Sequence, residues 1–108
     1  MANTFKSAAS GSTTSIQTLY TCPAATSGVV HAIYLSNVDG TNDATVSVSI
    51  SGSANFDDRR YILKTVDVPA DSTVVIEKPI NLGAWDKLET QSSANNDIDV
   101  FASILEIT

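Results

Sequence analysis

Cysteine occurs once in the 108 residues, at Cys22, so no internal disulfide can close and the bridge-stapled class of small folds is excluded. Long apolar runs are missing too. Stretches such as Val74-Val75-Ile76 extend over a few residues, whereas a helix crossing a bilayer takes about 20. No membrane-spanning segment is expected. The opening Met1-Ala2-Asn3-Thr4-Phe5-Lys6 has no charged start leading into an apolar stretch, so a secretory leader is not expected either and the chain is read as starting as translated. Basic side chains are few: six Lys and Arg face twelve Asp and Glu, for a net charge of -6. Nucleic-acid binding through phosphate neutralisation needs clustered cations and is not expected. Strong helix formers never recur at helical spacing over a window of about 11 residues, which argues against helices. A chain of this length reads as one domain over 1–108, burying roughly 60 to 70% of the surface its unfolded form exposes, so contacts with other copies would add to a narrow stability margin.

What the sequence does have is hydroxyl groups: Ser and Thr make up about a quarter of it. In Thr45-Val46-Ser47-Val48-Ser49-Ile50 they alternate with apolar side chains, the two-residue period of a strand with one face on a core. Asp97 to Ile104 repeats the pattern, with Ile98, Val100, Ala102 and Ile104 assigned to the core. Similar segments at 3–8, 13–20, 28–36, 58–67, 73–78 and 85–90 bring the expected strands to eight. Between them stand turn residues: Asp39-Gly40, Gly52, Pro69-Ala70-Asp71-Ser72, Asn81-Leu82-Gly83 and Asn95-Asn96-Asp97. With no segment fit for a crossover helix, the pairing is antiparallel. The expected fold is all-β, an antiparallel two-sheet sandwich. A jelly-roll-like closure leads, and an immunoglobulin-like one stays open.

Val29-Val30-His31-Ala32-Ile33-Tyr34-Leu35 is apolar on both sides except at His31. Such a strand is expected to be central and covered twice, once by the opposite sheet and once by a neighbouring subunit or a loop of its own chain. Phe101, Leu105 and Ile107 likewise share the side opposite Ile98, Val100 and Ile104. Charge is uneven: residues 1–56 carry only Lys6, Asp39 and Asp43. Interface cores are depleted in charge, so the first half suits protein contact, although hydroxyls solvating strand faces account for the same composition.

Signs of chemistry are sparse. His31 is the lone histidine, mid-strand with no co-ligand at metal spacing, and is read as a sheet or subunit contact. Cys22 reads as a small buried hydrophobe, with no base nearby to activate it. The oxygen-rich loop Asn37 to Asp43 lacks the spacing of a helix-loop-helix calcium site and is equally a hairpin turn. Asp57-Asp58-Arg59-Arg60 alternate faces and suit cross-strand pairing. The remaining carboxylates are dispersed. No phosphate loop, nucleophile elbow or Cys-x-x-Cys is present. Neither catalysis nor a cofactor or metal is expected. Trp85 and Phe56 are the aromatics read as candidate anchors for a partner.

The order of pieces carries a resemblance. Ala2-Asn3-Thr4-Phe5-Lys6 opens the chain, Leu19-Tyr20-Thr21-Cys22-Pro23-Ala24 leads into the two-faced strand ending at Ser36-Asn37, and Val68-Pro69-Ala70-Asp71-Ser72 follows. Leu82-Gly83, Asp86-Lys87-Leu88, Gln91-Ser92-Ser93 and Ser103-Ile104-Leu105-Glu106-Ile107 close it. This resembles small β-sandwich virion proteins of tailed bacteriophages, especially those of marine and cyanobacterial hosts. Cys22 and Trp85 depart from the pattern, where an aliphatic and a small or polar residue are commoner. The resemblance implies a non-enzymatic virion component assembled in the host cytoplasm, most simply capsid decoration or cement. Its partners would be itself, as a homotrimer, and the major capsid protein, with no nucleic acid and no membrane. The alternative it implies is a neck or tail-fibre module binding a host receptor or glycan. Candidate partner contacts are His31, Phe56 and Trp85.

Overall fold

The structure, a computed structural model, describes residues 2–52 and 59–108. All regular structure among them is strand: β1 (Asn3–Gly11), β2 (Gln17–Thr21), β3 (Ser27–Asn37), β4 (Ala44–Ser51), β5 (Arg60–Val68), β6 (Thr73–Ile76), β7 (Ile80–Leu82), β8 (Lys87–Ser92) and β9 (Ile98–Ile107). One sheet has the order β1-β9-β3-β6, with β7 also on β3; the other has the order β2-β8-β4-β5. Every pairing is antiparallel. If β6 and β7 are taken as two halves of one strand, successive strands alternate between the sheets except at the β4–β5 hairpin, which lies within the second sheet. This is jelly-roll order, and it excludes the immunoglobulin arrangement.

The alternation in β4 and β9 does what its period dictates. Val46, Val48 and Ile50 on one sheet, and Ile98, Val100, Ala102 and Ile104 on the other, are buried in a shared core with Val30, Ile33, Leu35, Val68, Leu82 and Leu88. β3 departs from a plain strand. Val30 pairs with Ile104 but Ala32 with Ser103, so the ladder carries an extra residue at His31. Before that bulge Gly28 and Val30 face inward; after it Ile33, Leu35 and Asn37 do. Much of the apolar character read on both sides of this segment therefore comes from a strand that switches face. What remains outside is Val29, Ala32 and Tyr34.

Among the described residues nine strands replace the expected eight, because the stretch read as a turn at Asn81–Gly83 contains part of β7, whose Leu82 is buried opposite Gly28. The turn lies later. Trp85 takes a φ of 71°, which delays β8 to Lys87. The segment expected at 13–20 pairs only from Gln17, and the one at 73–78 stops at Ile76, before Pro79, which lacks the N–H a ladder needs. Left-handed backbone falls on Ala25, Thr65, Asp71, Trp85 and Asn96, and on no described glycine. Asp and Asn adopt it readily; for the others it costs about 1–2 kcal/mol each.

Backbone ties close both ends. At one, Asn37 donates its amide N–H to Ser72 O, and its side-chain Nδ2 donates to Val68 O and Asn42 O at 2.9 Å each. At the other, Cys22 N–H donates to Asp86 O and Trp85 N–H to Cys22 O, joining the β2–β3 and β7–β8 turns. Ala2 and Thr108 exchange a reciprocal backbone pair beside β1 and β9.

The burial pattern of β9 sets a direct test. Ile104→Ala should lower the unfolding free energy by about 2–5 kcal/mol in urea titration, whereas Ser103→Ala, one residue away on the outer side, should stay within about 0.5 kcal/mol.

Candidate functional site

The registers place the outward side chains of the first sheet in rows that cross it. One row runs Ala9–Phe101–Tyr34–Val75 over β1, β9, β3 and β6. A second runs Phe5–Leu105–Val29–Asn81. Ser7, Ser103 and Ala32 lie between them. Phe5 is 78% exposed, Phe101 44%, Tyr34 43% and Val75 39%. The Tyr34 and Phe101 rings are tilted by 55° with centroids 6.3 Å apart, and Phe5 stacks near His31 at 6.4 Å. Among the outward positions of these paired strands only Asp99 carries a carboxylate, and none is Lys or Arg. The face is apolar in two bands, neutral over nearly all its extent, and not covered by any described element.

The other sheet presents the opposite chemistry. Thr18, Glu89, Ser49 and Tyr61 stand in one row, with Lys64 Nζ 5.0 Å over the Tyr61 ring; Gln91 and Ser47 stand in the next, Thr45 and Asp67 in a third. Arg59 reaches across β4 to Glu89, with Nε and Nη2 each 3.0 Å from Oε1. That contact satisfies a buried carboxylate, and it is cross-strand pairing of the kind expected for Arg59. Asp57 and Asp58 lie outside the described residues.

The two flanks of the sandwich differ as well. Between β1 and β2, Glu106 is buried at the end of the inward row of β9. Tyr20 Oη–H donates to its Oε2 at 2.5 Å, and Lys6 Nζ stands 3.1 Å from its Oε1. These contacts hold the Glu106 carboxyl below its usual range, the Tyr20 hydrogen bond contributing most. Burial, then the bond to Glu106, pushes the Tyr20 phenol well above its ordinary value. Between β5 and β6 no such latch is present among the described residues; instead a groove of about 500 Å³ is lined by Ile62, Val75, Ile76, Pro79 and Ile80. A second shallow hollow, about 480 Å³, lies on the apolar face between Ala9, Tyr34, Ser36, Asp99 and Phe101. Each hollow has one carboxylate, Glu77 or Asp99, so neither brings an acid pair together.

The residues singled out in the sequence are scattered. His31 lies exposed on the apolar face, at the bulge. Trp85 is 49% exposed at one end of the sandwich. The loop Asn37–Asp43 lies at the other end, about 36 Å away along the eleven residues of β3. These two therefore form no joint site. Phe56 falls outside the described residues. The oxygens of the loop are taken up by the turn itself: Asp39 Oδ1 accepts from the N–H of Thr41 and Asn42, Asp39 Oδ2 from Asn42 Nδ2, and Asn37 Oδ1 from Asp39 N–H. Those donors hold the Asp39 carboxyl below its ordinary value, the Thr41 N–H first. No group of three or more His, Cys, Asp or Glu side chains converges among the described residues. Cys22 is fully buried; its Sγ–H donates to Thr26 O at 3.4 Å, and burial raises its thiol pKa.

Sequence reasoning put Phe101, Leu105 and Ile107 on one face and Tyr34 in a two-faced strand but missed the union of the two, because spacing along the chain does not say that β3 and β9 are neighbours. The Tyr20–Glu106–Lys6 latch had no signal at all. No helix among the described residues is long and apolar enough to cross a membrane. Comparison with protein families, with curated proteins and with solved structures finds no match for this chain.

The latch makes stability depend on pH. A carboxyl whose folded pKa is depressed stabilises fully above its unfolded value, about 4.3 for Glu, and loses that contribution as pH falls through the folded one. Acid unfolding should therefore sharpen below about pH 4 in the native chain, and Glu106→Gln should flatten that limb when unfolding is followed by circular dichroism. Tyr20→Phe should cost about 1–3 kcal/mol at pH 7, because it removes a donor from a buried carboxylate.

Proposed function

We propose that this chain is a non-enzymatic structural component of a tailed-phage virion, acting as decoration or cement on the assembled capsid. The observation that carries the reading is the neutral aromatic and aliphatic face of the first sheet, on a molecule otherwise acidic and coated with hydroxyls. A small protein that leaves such a face open is one built to be covered by protein. The resemblance to phage β-sandwich proteins supports the same reading, and a compact jelly-roll brick suits a subunit laid on a shell. Decoration binds a repeating shell, so many weak contacts act together and no deep pocket is required. The shallow hollows, each with a single acid, are in keeping with a binding role. Its place is the virion, and its partners are further copies and the major capsid protein.

Quantitative mass spectrometry of purified particles tests this. The protein should be present at a copy number matching a symmetry site of the capsid. Its absence from particles would refute the reading, and a handful of copies per particle would move the protein to the neck or tail.

One observation favours a second reading, a tail-fibre module that binds a host receptor or glycan. Trp85 holds a left-handed conformation that a bulky side chain adopts at a cost, its N–H pinned to Cys22 O, and it leaves about half of its surface open. Under that reading, Trp85→Ala should reduce adhesion of the isolated domain to host cells at least tenfold; undiminished adhesion would remove Trp85 as the anchor.

A further inference from the structure

The outer face of the first sheet pairs, we infer, with the same face of a second copy of this chain across a two-fold axis. Charge selects the occupant. Each chain carries -6, so two copies repel unless they meet where the carboxylates are not. Of the outward positions on β1, β9, β3 and β6, only Asp99, near one end, is acidic. The opposite sheet places Asp67, the Arg59–Glu89 ion pair and Lys64 over the exposed Tyr61 ring on its outer side, and has no comparable neutral field. A partner recruited by charge complementarity would be basic and would be drawn to the acidic surfaces, leaving this face unused. A neutral band of Phe5, Leu105, Tyr34, Phe101 and Val75 is matched by another neutral band.

The size is adequate. Strands of nine, ten and eleven residues, with β6 and β7 covering four and three more along β3, spaced about 4.8 Å apart at about 3.3 Å per residue, present about 600 Å² in projection. Protruding rings raise the accessible area above that, toward the about 800 Å² per partner that stable interfaces bury. Because one patch meets its own copy, the contact is isologous and closes with two subunits. The trimer that the sequence resemblance implied needs two different patches on each copy. The inference rests on the face alone and goes beyond any place on a particle.

Light scattering after size-exclusion chromatography, run on the full chain at low micromolar concentration, tests it. The native protein should have twice the mass of one chain. Tyr34→Lys with Phe101→Lys should return the mass of one chain with an unchanged circular dichroism spectrum. Thr18→Lys, on the hydroxyl face, should keep the doubled mass. A native monomer, a native trimer, or a doubled mass that survives the two lysines overturns the pairing. Should the double variant fail to fold, Ser103→Cys at the centre of the face supplies the decision, since Cys22 is buried. A short bismaleimide should join Ser103→Cys chains in pairs and leave Thr18→Cys chains single; equal or no coupling overturns the proposal. Failure here leaves the particle measurement untouched, and absence from particles leaves the pairing untouched.

Discussion

The ladder between β3 and β9 decides which side chains can meet across the sandwich. It runs for ten paired positions down the middle of the first sheet. A slip of β3 by one residue against β9 would send Tyr34 inward and put Ile33 and Leu35 into water. The bulge at His31 is what lets both halves of β3 hold an apolar row against the core, since the pattern Gly28, Val30 shifts phase to Ile33, Leu35. The same shift decides what is left outside. An apolar supply larger than one interior can absorb is thus divided between a core and an open face, and the division is set by backbone register rather than by composition.

Polar contacts finish what the core begins. Glu106 receives Tyr20 from the opposite sheet, and Asn37 reaches the Val68 carbonyl on β5. Both residues lie buried at the ends of inward rows. These ties fix the spacing of the sheets at one flank and one end. The β5–β6 flank has a mainly aliphatic groove with Glu77 and Lys78 in its lining, and lacks a comparable tie among the described residues.

How far the sequence reached follows from the range of the interactions. The two cleanest alternations, in β4 and β9, predicted buried residues correctly, because a period of two depends only on the local pleat. The all-β sandwich followed from the same signal together with turn chemistry. β7 was hidden by Asn81 and Gly83, which read as turn residues although Leu82 between them enters the core. The bulge was hidden because Val29 to Leu35 offers apolar side chains in either phase. Trp85 in left-handed backbone defeated the rule that puts Gly or Asn there. His31 and Trp85 were legible as singular residues; the face around His31 was not, because it is assembled from strands remote in sequence.

That remoteness has a kinetic side. β1 has its hydrogen-bonded neighbour in β9, and β3, though it also pairs with β6 and β7, has its longest ladder with the same strand, so the first sheet is incomplete until the final strand in sequence order has joined it. Closing loops of that span is entropically slow, and topologies of this type assemble in milliseconds to seconds rather than microseconds. In the interval the aromatic rows of β3 would be free to stick to nascent neighbours. β1, an edge strand with one lysine in its nine residues, has little charge with which to blunt such unwanted association, and the adhesive surface is complete only when the native first sheet is.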